Sequence, residues 1–480
     1  MTAPSIDEIA AAYAAVPYRH GAIHDTHPAR LGAIGRLHGL HAARPDHCRV
    51  LELGCGECLN LLPLAERLPK SEFVGVELSP DAIRRGEFIR TECGIANARL
   101  ICSDLRDWEP DGEYDYIIAH GVYSWVPAPI RDRLLAIVAC ALAPSGIAYI
   151  SYNTLPGWSL PHGIRTVLLQ EVRAIPEPQQ KIEHARKVLT TFLKALESQP
   201  GAYQAHLRLS LEDMLGKPGD LFFHDELEPV NEPCTFTAFV DHAASHQLHY
   251  LAEAHYATMP FQHVPEAARL ALGGLQPDFL QQQQFMDVLF QRWSRNSLLC
   301  RLPSPPREAT TPDHIREFAI GARLHLPSGP MDLSPGIPVV FVAHNGLQLP
   351  ISDSAEKAAL VILGSAAPVR VPFTDLLAKT NTLLASASLP AVEDPSSLCH
   401  FFLRLFSLDA LDLLLAGDGE WLALSERPAP SPLMRGEARQ GLQVTNRWHE
   451  TIALTVEGAR SLAELQGTAN PAAIDAGLAV

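Results

Sequence analysis

The chain has 480 residues, 47% hydrophobic and 19% charged, with a formal net charge of -16. That length exceeds one ordinary domain and predicts two or three. The acidic balance, with no basic stripe, argues against a nucleic-acid partner. The nine cysteines lack regular spacing and read as buried small hydrophobes of a reducing, cytoplasmic protein, not a disulfide framework. The opening MTAPSIDEIAAAY has no basic segment followed by an apolar one, and the longest apolar runs, such as LLAIVACALA (134–143), reach about half a membrane span. No export and no membrane partner are expected.

From Arg49 the pattern alternates: strand RVLEL, helix LNLLPLAERL, strand EFVGVEL, helix PDAIRRGEFIRTECG, strands ARLICSD and YDYIIAH, helix IRDRLLAIVACAL and strand GIAYISYN. This predicts an α/β fold, a doubly wound parallel sheet with helices on both faces. Helices follow in HGIRTVLLQEVRAI, QQKIEHARKVLTTFLKALES and GAYQAHLRLSLEDML. DLFFHDELE (220–228) reads as a short strand, FTAFVDHAASHQL as a helix, and HYLAEAHYATM (249–259) as a strand completing the sheet. FLQQQQFMDVLFQRWSRNSLLC (279–300) reads as helical, and the Pro-rich 301–312 as a linker. Beyond it, His344-Asn345-Gly346 marks a hairpin, followed by helices in AEKAALVILG, FTDLLAKTNTLL and CHFFLRLFSLDALDLLLAG, suggesting a winged-helix-like unit.

The stretch LELGCGECLN (51–60) admits two readings. Cys55 and Cys58 form a C-x-x-C at a helix start, as in a redox pair. Glu52, Gly54 and Gly56 equally spell a strand-to-helix turn that lets a cofactor approach the backbone. The following strands favour the second. Glu77 ends the second strand, placed to accept from both hydroxyls of a ribose, and Asp104 ends the third, able to accept from an adenine amino group. Glu52 can orient a cationic amino-acid head. So many acceptors suit a nucleoside cofactor without phosphates, and S-adenosylmethionine fits that description. Cys58 stands where a third glycine is usual, and Cys55 and Cys58 become loop fillers. Each acid taken alone also reads as a helix cap or a solvated strand end.

Several segments resemble class I S-adenosylmethionine-dependent methyltransferases that carry a methyltransferase regulatory domain, the group that includes rickettsial protein-lysine methyltransferases. They are YAAVPYRHGAIHDTHPARLGAIGRLHGL (13–40), VLELGCGECLNLLPLA (50–65), HGVYSWVP (120–127), SYNTLPGW (151–158), FFHDELEPVNEPCTFTAFVDHAASHQLHYLAEA (222–254) and DVLFQRWSRNSLLCR (287–301). The resemblance implies methyl transfer from S-adenosyl-L-methionine to an acceptor, most readily a protein lysine. A small-molecule acceptor, or a protein that only senses the cofactor, stays open. The cofactor set is then Tyr18, Glu52, Gly54, Gly56, Asn60, Glu77, Leu78, Asp104, Leu105 and His120. The catalytic set is His120, Tyr123, Trp125, Tyr152, Asn153 and Trp158, with the aromatic faces expected to attract the sulfonium. The rings also read as packing for the insertion, and His120 as a packed histidine.

The expected organisation is a methyltransferase core at 1–160 and 216–260, a helical insertion or lid at 161–215, a helical part of the regulatory region at 261–300, the linker at 301–312 and the winged-helix-like unit at 313–480. His242 and His246 share a helical face with His249 beyond, but no carboxylate or cysteine in the sequence pattern completes a set, so no metal is expected. A homodimer is compatible with the sequence.

Overall fold

The structure is a computed structural model, and it describes residue 16 and residues 21–302, 312–326, 331–415 and 430–464. Its centre is a seven-stranded sheet of order β3-β2-β1-β4-β5-β7-β6. The strands are β1 (Arg49–Leu53), β2 (Glu72–Glu77), β3 (Ala98–Cys102), β4 (Tyr114–Ala119), β5 (Leu142–Asn153), β6 (His249–Glu253) and β7 (Ser294–Cys300). Runs such as FVGV and YIIA are buried on both faces, the pattern of a sheet covered by helices on each side. The crossover helices are α2 (Leu61–Arg67), α3 (Pro80–Glu92) and α4 (Ala128–Ala141), with α1 (Pro28–Leu37) ahead of them. Ser79 caps α3 by accepting from the Ala82 amide, with Pro80 at the first helical position. The turn after β2 is thereby fixed where Glu77 emerges.

After β5 come α5 (Ser159–Val172), α6 (Pro178–Leu196) and α7 (Ala202–Gly216), whose apolar stripes pack on one another around Leu168, Ala185, Leu189 and Leu211. The expected strand at 220–228 is instead α8 (Gly219–Leu227). Phe222, Phe223 and Leu227 share one face and bury it in that helical cluster, so tertiary packing overrides the short apolar run. Next come α9 (Phe236–Ser245), β6, α10 (Glu266–Gly273) and α11 (Phe279–Leu289). The predicted helix over 279–300 stops at Leu289 and its second half is β7. β7 runs antiparallel between β5 and β6, so the sheet is mixed. The region at 261–300 is therefore partly strand, and its strand is an interior member of the sheet.

The C-terminal unit has a three-stranded sheet of β8 (Phe318–Gly321), β12 (Val371–Pro372) and β13 (Asp412–Leu415), and a second of β9 (Leu324–His325), β10 (Val339–Ala343) and β11 (Gln348–Ile351). The hairpin at His344-Asn345-Gly346 joins β10 to β11, with Gly346 at φ +81. Helices α12 (Ser354–Ala366), α13 (Phe373–Ser386) and α14 (Ser396–Ser407) follow. The predicted last helix ends at Ser407, because LDLLL continues as β13, paired with β8. A final group comprises α15 (Pro432–Gln440), β14 (Gln443–Thr445), β15 (Thr451–Ala453) and α16 (Val456–Glu464). One apolar core runs from the sheet through α1 into this unit. Buried Arg30 of α1 pins the contact by pairing with buried Asp412 of β13.

Candidate active site

A cavity of about 180 Å³ opens beyond the carboxyl ends of β1 to β4, where ligands of open α/β sheets lie. It is lined by Glu52, Gly54, Gly56, Asn60, Glu77, Leu78, Asp104, Leu105 and His120, with Trp125 from the turn after β4. Tyr18 lies outside the described residues.

The loop between β1 and α2 owes its shape to left-handed residues. Gly54 has φ +72 and Gly56 has φ +53, and a Cβ on Gly54 would come within 2.5 Å of Val122. Cys58 takes φ +61, so it holds the conformation a third glycine would adopt freely. Its thiol is fully buried, 3.3 Å from that of Cys55, and both are free. Burial pushes the Cys55 thiol well above its ordinary range, the opposite of a reactive thiolate.

Glu52 is 4% exposed. One carboxylate oxygen accepts from Asn60 Nδ2 at 2.9 Å, and the other is buried without a partner among the described residues. Burial raises its pKa to about 8; the Asn60 hydrogen bond opposes the rise and nearby Glu77 adds to it. An unsatisfied buried acceptor of this kind is costly unless a donor or cation arrives. Asn60 in turn accepts through Oδ1 from the Ile23 amide at 2.9 Å, Thr26 Oγ1 at 3.1 Å and His449 Nε2 at 2.9 Å. The C-terminal unit thus reaches the wall of the cavity through the β14–β15 turn.

Glu77 accepts from the Gly56 amide at 3.0 Å and the Ser79 amide at 2.9 Å. Burial raises its pKa and these amides partly restore it. Each oxygen takes one of these bonds and so has capacity left, and Glu77 lines the cavity. Asp104 is held by Arg106, which donates from its amide and its guanidinium; burial raises its pKa, but these bonds outweigh it and the net shift is downward. Its acceptors are therefore shared with Arg106. Leu78, Leu105, Val122, Val126 and Ile130 supply the apolar wall.

The expected catalytic set divides. His120 lines the cavity, with Nδ1 2.9 Å from buried Tyr149 Oη. Trp125 lines it too, edge-on to Trp158 at 6.1 Å. Trp158 stands behind, between Trp125 and Trp293. Tyr123 and Tyr152 do not line it. Tyr152 stacks on Phe239 at 4.0 Å and bonds Ser297 at 3.0 Å, and Tyr123 sits edge-on to Phe239, with its hydroxyl 2.7 Å from His242 Nδ1. Asn153 is buried against Asn231 and Ser124. The expectation that Tyr152 faces the reacting group gives way to core packing, because α9 lays Phe239 across its ring.

Sequence reading missed Ile23, Glu57, Ser79, Arg85, Ser103 and Ile130 in the lining. The Ser-Pro after Glu77 was a legible cap signal. The Arg85–Glu57 pair, 2.6 Å apart across two elements, left no trace in spacing.

The strand order, with an antiparallel seventh strand inserted beside the last parallel one, and acidic strand ends around a glycine loop define a class I nucleoside-cofactor methyltransferase fold. Residues 50–146 match the family described as a methyltransferase domain, and residues 219–301 the predicted methyltransferase regulatory domain. The chain is similar to the uncharacterized protein RP028 of Rickettsia prowazekii, 33% identical over 48% of this chain and 93% of that protein. It is also similar to RP789 of the same organism, 33% identical over 64% of this chain, a match that spans 56% of that protein. Among solved structures it resembles PKMT2 from Rickettsia typhi, determined also in complex with AdoHcy, with TM-score 0.83 and 26% identity over 96% of this chain and 90% of that one. The chain belongs to the S-adenosylmethionine-dependent methyltransferases that carry a methyltransferase regulatory domain. The stretch matching that domain, 219–301, contributes β6 and β7, so it is part of the catalytic sheet rather than an appendage.

The residues present fit that family's cofactor. The unpaired buried oxygen of Glu52 suits an ammonium, the free lone pairs of Glu77 suit a ribose diol, and the apolar wall suits an adenine.

Proposed function

We propose that this chain methylates a nitrogen, with the lysine side chain of a protein as acceptor. The observation that carries the reading is the likeness to Rickettsia typhi PKMT2 across 96% of the chain, C-terminal unit included, joined to the motifs that resemble rickettsial protein-lysine methyltransferases. When bound, the cofactor supplies an electrophilic methyl group. Glu52 orients its amino-acid head, Glu77 fixes the ribose, and Asp104 with Leu78 and Leu105 sets the adenine. The chain's own task is then positioning, since an in-line displacement is accelerated mainly by holding the nucleophile against the methyl group.

A lysine titrates near 10.4 in water and has to shed its proton before attack. Trp125 offers an aromatic wall for the approaching amine. His120, oriented by Tyr149, stands at the end of β4 to accept a hydrogen bond from it. Helix α5 adjoins this wall, because its buried Arg165 lies 5.5 Å over the Trp125 ring, and α6 and α7 pack on α5. They serve as a lid limiting access by water and by wrong acceptors. The net charge of -16 favours a cationic substrate segment.

The test is incubation of the full chain with methyl-labelled cofactor and a native lysate, followed by hydrolysis of the protein fraction. N-methylated lysine is the expected product. Label confined to small molecules overturns the acceptor assignment, and failure to bind the cofactor at all overturns the site.

A further inference from the structure

Beside the β4 end, outside the cavity, α4 and α9 bring together three groups that the cofactor site does not use. His242 stands in the last turn of α9 and His246 caps its C-terminus, which brings their ring centroids to 5.6 Å. Asp132 of α4 lies opposite. His246 Nε2 is 2.8 Å and His242 Nε2 3.4 Å from the same oxygen of Asp132, and all three donor atoms lie within 4.8 Å of one another. Zinc bonds of about 2.0 to 2.1 Å in a tetrahedral site set neighbouring ligand atoms about 3.3 Å apart. The three atoms are therefore spaced to receive such an ion with little side-chain movement. His249, which the sequence grouped with them, begins β6 and is not a member.

A second observation bears on the ligands. His242 Nδ1 lies 2.7 Å from Tyr123 Oη, and Tyr123 is 3% exposed. With the proton on Nδ1 donated to the phenol oxygen, the Nε2 lone pair points at Asp132. An outer partner of that kind orients ligating imidazoles. The adjacent Arg131 is paired with Glu232, which reduces its opposition to a cation.

We propose that Asp132, His242 and His246 form a site for a divalent transition-metal ion, zinc by preference, with a fourth position open to water. The ion ties α4 to α9 and, through Tyr123, braces the turn that carries Val122 and Trp125 into the cavity wall. Two imidazoles sharing one carboxylate by hydrogen bonds alone put the same atoms in the same places, so the experiment has to separate the two.

Chelator-treated full-length protein is titrated with zinc ion by calorimetry, and with cobalt(II) followed by visible absorption. The expected result is one equivalent bound, with a four-coordinate cobalt spectrum and a raised melting temperature. Asp132→Asn should weaken zinc binding at least tenfold. Its side chain is 63% exposed, so the fold survives. His246→Ala should do the same, and Tyr123→Phe should cost about tenfold through lost orientation. Absence of stoichiometric binding, or binding unchanged in both Asp132→Asn and His246→Ala, overturns the site in favour of the plain hydrogen-bonded cluster.

Discussion

The two halves of the central sheet end in opposite ways. At the ends of β1 to β4 the polar groups are left with capacity to spare: among the described residues, one buried Glu52 oxygen has no partner and Glu77 bonds backbone amides alone. Across β5 to β7 they are closed on each other. Arg295 donates to Glu253 at 2.6 Å and to both oxygens of Asp287, and Ser297 links Glu253 to Tyr152. Native interiors satisfy most of their polar groups. The orphaned Glu52 acceptor lines an open cavity, whereas Asn231 Nδ2 and Gln283 Oε1, orphaned beside the other half, line no part of it, so the β1 to β4 half is the one built for a ligand. Proximity to the sheet end is a poorer guide, because Tyr152 sits at such an end and belongs to the closed half.

The largest effect is expected from opening that closed half. Arg295→Met leaves Glu253, 2% exposed, without its cation, and Asp287, 0% exposed, with only that of Arg292 at 3.1 Å. Breaking a buried pair from one side costs about 3 to 5 kcal/mol. Denaturant unfolding should show a loss of that size, and a stability within about 1 kcal/mol of the parent would mean that the cluster is not dry. The next effect comes from the open half. Glu77→Ala removes two charged acceptors from the ribose position, each worth about 1.5 to 3 kcal/mol. Cofactor affinity by calorimetry should fall about 100-fold or more in a variant that stays folded, its melting lowered by the loss of the bonds from the Gly56 and Ser79 amides.

The open half was also the legible half. Gly54, Gly56, Glu77 and Asp104 stand at fixed places relative to apolar strands, and both their spacing and their chemistry are local. The closed half was hidden because its logic is not local. SRNSLLC carries no clean period of two, and only its pairing with β5 on one side and β6 on the other makes it a strand. Its polar positions are charged or hydroxylated because Arg295 and Ser297 complete a buried network with residues some 40 positions away. In the same way DLFFHDELE is helical because its aromatic face meets α5 to α7, and LDLLL is a strand because β8 lies beside it. Asp132 could not be joined to His242 and His246 from the sequence, since it lies 110 and 114 positions from them.

Glu52 sharpens the comparison through pH. Its pKa in the folded protein is raised by burial to about 8 from 4.5, so over that interval the folded protein holds a proton that the unfolded chain has lost. Stability should therefore fall as pH rises from about 4.5 to 8. Binding a cationic head requires the carboxylate, so cofactor binding should release a proton in the same interval. Affinity should then climb up to about tenfold per pH unit and level off near pH 8, where an α-amino group itself begins to titrate. Calorimetry in two buffers of different ionisation heat measures the released proton directly. Glu52→Gln should abolish both the release and the climb, and a pH-independent affinity in the parent would place the ammonium elsewhere.

The smallest effect asks whether the C-terminal unit belongs to the open half. His449 is buried at the β14–β15 turn, and its burial, with His27 adding to it, holds its pKa well below the ordinary value. It is therefore neutral, with Nε2–H donating to Asn60 Oδ1 at 2.9 Å. Asn60 passes that constraint to Glu52 through its own amide. In His449→Ala the Asn60 oxygen keeps the Ile23 amide and Thr26 hydroxyl, so the carboxylate is held less firmly but not released. One neutral hydrogen bond is worth about 0.5 to 1.5 kcal/mol, which corresponds to an affinity loss of about 2- to 12-fold. The loss should appear in KM for the cofactor with kcat unchanged, because His449 touches neither the cavity nor the methyl acceptor. Asn60→Ala should cost more, since it strips Glu52 of the Asn60 Nδ2 donor itself. Equal affinity in parent and His449→Ala would make the turn a packing contact only. A fall as steep as that of Glu77→Ala, accompanied by a lower melting temperature, would instead show that the unit had come away from α1.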